Sequence, residues 1–159
     1  MRHEAPMPHV PETEAGAPDK NRVNPLVLFL GYQLRRASLA LLGDLTSTIA
    51  DLSLTVTELS LLLVVEANPD ITQSEIGRML AIQRANMAPL TALLVQRHLV
   101  GRTATTGRAH GLRLTEAGAA MAAICRTRIA AHEDRFLSKL KRNEQDAIMH
   151  LLRRIWQDR

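Results

Sequence analysis

The chain has 159 residues, of which 46% are hydrophobic, and a formal net charge of +4. That length suffices for one domain with a buried core, and no apolar run approaches the roughly 18 residues that cross a bilayer. Cys125 is the only cysteine, so an internal disulfide is excluded, and with no signal peptide in view the expected compartment is the cytoplasm.

The charge is unevenly spread. No acidic residue occurs between Glu75 and Glu116, an interval that carries Arg78, Arg84, Arg97, Arg102, Arg108 and Arg113 with His98 and His110. Uncompensated positive charge of this kind repels itself unless a polyanion is to be bound. Phe29, Tyr32, Phe136 and Trp156 are the only aromatics, and leucine and alanine predominate, which favours helices over sheet.

Residues 1–24 hold four of the seven prolines and read as a disordered tail ahead of one domain, 25–159. Asn24 followed by Pro25 marks a helix start, with the helix reaching about Leu45. Val27, Leu30, Leu34, Leu41 and Leu45 form one apolar stripe; Leu28, Leu39 and Leu42 form a second, with Tyr32 beside them. A helix apolar on two faces is buried on two sides, one of them against a partner subunit. Thr55 and Glu58 are spaced as a capping box opening a helix over 56–67, which Asn68-Pro69-Asp70 ends. Thr72 and Glu75 repeat that spacing before a short helix ending near Leu80. Ala81-Ile82-Gln83 then turns into an amphipathic helix reaching about His98. Two short helices so joined read as a helix-turn-helix.

Residues 99–105 and 110–115 are predicted strands of a hairpin with a glycine-containing turn. Thr115 caps a long helix to about Leu140, with Glu116 at its positive end. Asn143 starts a last helix with an apolar side of Ile148, Leu151, Leu152 and Ile155. Pro89 is the oddity. Inside a helix it costs about 3 kcal/mol, so the expectation is either a helix start near Asn86 or a local kink over Ala85–Pro89.

This order of elements, with "ITQSEIG", the Leu99-Val100 and Arg102 approach to the hairpin, and "GRAHGLRLTEAG", resembles the MarR family of bacterial transcriptional regulators over about residues 26–158. The resemblance implies a mostly α fold: a winged helix-turn-helix lobe (55–114) with a two-stranded β-wing, flanked by N- and C-terminal dimerisation helices (25–50 and 115–159). It also implies a homodimer, a double-stranded DNA operator as partner, and often a small ligand that releases the DNA. By resemblance Arg108 is the wing arginine that enters the minor groove. Family members commonly carry an acidic residue close before it, where this chain has Thr106 and Gly107.

On a helical wheel Met87, Leu90 and Leu94 turn inward, and Ala85, Ala88, Pro89, Ala92 and Gln96 lie opposite. Base contacts concentrate at the N-terminal end of a recognition helix. Gln83, Arg84 and Asn86 supply the donors there, arginine suited to guanine and asparagine to adenine, while Ala85 and Pro89 suit thymine methyl groups. The plainer reading of Arg84 and Asn86 is phosphate contact or capping. Thr72, Gln73 and Ser74 begin the preceding helix and suit a phosphate, Thr72 also serving as N-cap. Arg102, His110 and Arg113 reach phosphates or are simply exposed.

For the ligand, Tyr32, Arg35, Arg36, Ser38 and Leu39 gather near one helix face, where arginine would hold an anion against an apolar wall. The family implies an aromatic acid or a phenolic compound, and an acyl-CoA thioester would also suit several arginines; the bland alternative is a surface arginine beside a core-edge tyrosine. A thiol-based oxidation sensor would use Cys125, its pKa lowered by Arg126 and Arg128; a structural cysteine is the competing reading. A winged-helix protein-interaction module is the other non-enzymatic alternative. No residue set proposes catalysis: His132-Glu133-Asp134 lacks the second histidine of a zinc-protease motif, Phe136 standing there. No cofactor or metal is expected.

Overall fold

The computed structural model describes residues 23–104 and 110–157. The expected tail therefore lies almost wholly outside the described residues, as do Thr106, Gly107 and Arg108. The described residues divide into two units, one ending at Arg35 and one beginning at Arg36.

In the first unit the Asn24 side chain accepts a hydrogen bond from the Leu26 amide at 3.0 Å. The cap predicted there opens a 3-10 turn, Pro25–Leu28, closed by Phe29 in an extended conformation, so α1 (Leu30–Thr48) begins later than expected. Asn24 also donates to the Tyr32 hydroxyl at 2.8 Å.

The second unit continues from α1 through a 3-10 turn (Ala50–Leu52) to α2 (Val56–Ala67), β1 (Ile71–Thr72), α3 (Gln73–Met79) and α4 (Arg84–Gln96). The strands β2 (Val100–Ala104) and β3 (His110–Leu114), then α5 (Glu116–Leu137) and α6 (Arg142–Gln157), complete it. Both capping boxes form: Thr55 and Thr72 accept from the amides of Glu58 and Glu75, whose carboxylates reach back to the cap amides. Two orphan amides are thus satisfied at each helix start. The core packs Leu59, Leu61, Leu62 and Val65 of α2 against Ile76, Met87, Leu94, Val100, Leu112 and Cys125.

The wing is wider than a hairpin. β3 pairs antiparallel with β2, Arg102 opposite Leu112, and on its other edge with β1, Ile71 opposite Leu112. Two residues are too short to show an alternation in sequence, so the third strand was invisible as a pattern. Gly111 is required here: a Cβ on it would stand 2.8 Å from the Asp70 carbonyl oxygen.

Cys125 is fully buried in the core, and desolvation pushes its thiol above the ordinary value. Arg126 pairs with Glu66 and Arg128 with Asp51, so neither lowers the pKa of the thiol. The oxidation-sensor reading is corrected on that ground, because reactivity follows the thiolate and its access. Native protein is expected to resist iodoacetamide and to alkylate fully once unfolded in guanidinium; rapid labelling of the folded chain would reverse this.

Candidate nucleic-acid interface

α3 and α4 are joined by a tight turn in which Ala81 takes a left-handed conformation, φ 52°, and Ile82 donates its amide to the Gly77 carbonyl at 2.8 Å. α4 then begins at Arg84, with Gln83 as its N-cap. The burial follows the predicted wheel. Met87 and Leu94 are buried, Leu90 is half-buried, and Ala85, Ala88, Pro89, Ala92 and Gln96 are exposed. Thr91, not foreseen, is also buried and returns its hydroxyl to the Met87 carbonyl at 2.6 Å. That local bond lets a polar residue sit on the core face without an unpaired group.

The expected late helix start is not what the chain adopts. Pro89 lies inside a continuous helix that starts at Arg84, and because proline has no amide proton the Ala85 carbonyl loses its intrahelical donor. Both residues are exposed, so water can occupy that acceptor and the cost stays below that of a buried break.

Gln83, Arg84 and Asn86 are exposed, and none of these side chains bonds to another described residue. The start of α3 is different. The Thr72 hydroxyl donates to Glu75 at 2.7 Å, and this bond, with that from the Thr72 amide, holds the Glu75 carboxyl below its ordinary pKa. A fixed carboxylate therefore occupies the amide end of α3, leaving Gln73 and Ser74 as the side chains there without a capping role. A cleft of about 350 Å³ separates these from Arg84, lined also by Arg78 and Met87.

The five described arginines of the acid-free interval divide. Arg113 pairs with Asp70, whose carboxylate also accepts from the Thr103 hydroxyl at 2.7 Å. Arg97 donates to the Ser53 and Leu52 carbonyls at 2.7 and 3.2 Å. Arg78, Arg84 and Arg102 remain exposed, and His110 is exposed at the start of β3. In the sequence Asp70 shows only as part of a helix stop; that its carboxylate ties β2 and β3 together depends on partners 33 and 43 residues away and leaves no local signal.

The Arg113 guanidinium, then the Thr103 hydroxyl, hold the Asp70 carboxyl below its usual value, and Asp70 raises Arg113 in turn. A depressed carboxylate contributes stability that is fully present above the unfolded pKa of about 3.9 and is lost as pH falls through the lower native value. Amide exchange in β2 and β3, corrected for intrinsic rates, should keep its protection down to about pH 4 and lose it only below. Asp70→Asn should abolish that acid step and lower protection at neutral pH; an unchanged profile would mean the pair does not anchor the wing.

The five predicted ligand residues fall in both units. Tyr32 and Arg35 belong to the first, Arg36, Ser38 and Leu39 to the second, and all but the half-buried Tyr32 are exposed.

Comparison with known proteins now decides the family. The model of the MarR family matches residues 52–109, the span from the turn before α2 to the wing. The transcriptional repressor CouR, solved bound to a 23-mer DNA duplex, is 36% identical and superposes with a TM-score of 0.79 over 84% of this chain and 96% of its own. The chain belongs to the MarR family. This MarR protein is a DNA-binding transcriptional regulator with a winged-helix fold. It is also similar to CouR bound to p-coumaroyl-CoA, at 35% identity, TM-score 0.77, covering 86% of this chain and 97% of that one. PcaV, a transcriptional regulator from Streptomyces coelicolor solved with its natural ligand, is 26% identical with a TM-score of 0.74, covering 84% and 96%. No curated protein matches the MarR chain. No helix among its described residues is long and apolar enough to cross a membrane.

Proposed function

We propose that this chain is a cytoplasmic homodimeric repressor, without catalytic activity, that binds a pseudo-palindromic operator and is released by a small ligand. The observation that carries the reading is the exposed start of α4, where Gln83, Arg84 and Asn86 have no side-chain partner among the described residues, in a stretch without acids. These three contact bases, with Ala85 and Pro89 against apolar base edges. Gln73, Ser74, Arg102, His110 and, by family resemblance, Arg108 meet the backbone and the minor groove. Thr72 acts only through its cap.

Dimerisation involves the terminal helices, 25–50 and 115–159, around the lobe 55–114. A single copy leaves Ile148, Leu151, Ile155 and Trp156 of α6 exposed, more apolar side chain on one helix than a solitary chain leaves in water. For the ligand, likeness to a CouR complex with p-coumaroyl-CoA favours the acyl-CoA thioester of an aromatic acid over the free acid or phenol. Tyr32, Arg35, Arg36, Ser38 and Leu39 stay the residues proposed for it.

The test is a binding isotherm on a duplex selected by the protein from random-sequence DNA. Affinity should fall steeply with salt, and p-coumaroyl-CoA should release the duplex where p-coumarate or CoA alone does not. Release by p-coumarate alone would select the free acid, and no salt-sensitive DNA affinity at all would favour a protein-interaction module.

A further inference from the structure

Two guanidinium groups converge on the short connection between α1 and α2. From α5, Arg128 donates to the Thr48 carbonyl at 2.8 Å, at the end of α1, and pairs with Asp51, its Nη2 2.8 Å from the carboxylate. From the end of α4, Arg97 donates to the Ser53 carbonyl at 2.7 Å and to the Leu52 carbonyl at 3.2 Å. The connection, residues 49–55, is held from the end of the recognition helix on one side and from α5 on the other.

The two contacts differ in kind. Arg128 has a carboxylate partner, whereas Arg97 has none within ion-pair distance among the described residues and donates only to backbone. Its guanidinium meets the carbonyls that close the 3-10 turn Ala50–Leu52, acceptors that the turn itself leaves open. Both ends of this contact sit beside left-handed residues that are not glycine: Ser53 at φ 53° and His98 at φ 55°. Such conformations persist only where surrounding contacts hold them. A planar fork reading two successive carbonyls fixes direction as well as distance, which a flexible ammonium does not.

We infer that Arg97 is a positioning residue: by gripping the Leu52 and Ser53 carbonyls it sets the angle of α4 relative to α1 and α5. It thereby fixes the spacing between the two recognition helices of a dimer. It does not touch DNA. The inference rests on the DNA-binding reading above. In a two-fold dimer, half-sites lie about 10 base pairs apart because both helices enter successive major grooves. Binding of the second helix then acts at an effective concentration that geometry can raise or abolish.

The experiment uses the full-length protein with Arg97→Met, which keeps the apolar stem and removes the donors, and Arg97→Lys, which keeps the charge and loses the fork. The probes are duplexes carrying the half-site that the wild type selects from random-sequence DNA, once, or twice at centre spacings varied by one base pair in each direction. Wild type should show a sharp spacing optimum. Both variants should lose about tenfold or more at that optimum and show a broadened or shifted one. Single-site affinity and the salt slope should stay as in wild type.

A phosphate-contacting Arg97 would instead give a lower salt slope and weaker single-site binding in Arg97→Met, with Arg97→Lys near wild type; that result overturns the inference. So does an unchanged spacing optimum in a folded variant. If Arg97→Met gives no cooperative melt, Arg97→Lys carries the same comparison. Should the wild type select no duplex, the DNA-binding reading itself falls, an outcome distinct from either.

Discussion

Gly118→Ala is expected to lower the melting temperature by about 5–10 °C, although alanine is the better helix former. Gly118 lies in the first turn of α5, where its amide donates to the Thr115 hydroxyl at 2.9 Å. Thr115 in turn donates that hydroxyl to the His98 carbonyl at 2.6 Å and its own amide to the Leu99 carbonyl at 3.1 Å. The start of α5 is therefore laced to the segment that leaves α4 and enters β2, and a Cβ on Gly118 would overlap the Leu99 carbonyl oxygen. Helix propensity returns about 1 kcal/mol on replacing glycine by alanine. Forcing backbone apart in a packed site costs about 3 kcal/mol, and the obstacle is main chain, not a flexible side-chain tip. The net loss of about 2 kcal/mol corresponds to the quoted shift for a domain of this size. Thermal denaturation followed by circular dichroism checks it; an unchanged or raised midpoint would show that β2 can move away freely.

Local chemistry is what the sequence displays best, and the fold bears this out in particular residues. Thr55 with Glu58 and Thr72 with Glu75 form reciprocal caps, because each box needs only residues three apart. Met87, Leu90 and Leu94 turn inward for the same reason, since periodicity is local. The elements that escaped are those made by distant partners. β1 exists because β3 offers it an edge, through Ile71 opposite Leu112 and Thr72 opposite Gly111. Asp70 anchors Thr103 and Arg113 across 33 and 43 residues, and Arg97 reaches Ser53 across 44. A count of arginines cannot separate those that bind carbonyls and carboxylates within the chain from those left for a polyanion. The proline of α4 was misjudged at its boundary: helix start is set by the turn through Ala81 and Ile82, which fixes Gln83 as the cap wherever the proline falls.

Arg84→Ala is expected to weaken binding to the selected operator by roughly 5- to 150-fold per half-site, the cost of about 1–3 kcal/mol for one bidentate base contact. Folding should be indifferent, since Arg84 is exposed at the first position of α4 and alanine is a good helix former there. The loss should fall on specific duplexes far more than on random ones, so the specificity ratio drops while the salt slope changes little. If affinity instead falls uniformly and the slope drops by about 1, Arg84 is a phosphate contact. The reason to expect a large, sequence-selective loss is the rest of the helix. Ala85, Ala88, Pro89 and Ala92 make up half of its exposed residues, and none of them can donate a side-chain hydrogen bond. Of the neighbours that can donate, Gln83 and Asn86 carry shorter side chains without a guanidinium fork, so neither reproduces a bidentate arginine contact. Pro89→Gln gives the complementary result: it restores an amide donor for the Ala85 carbonyl and adds a polar side chain to the same face. It should therefore stabilise α4 and change which bases are preferred. If Pro89→Gln selects the same sequence as wild type from random DNA, the exposed face of α4 is not what the operator meets.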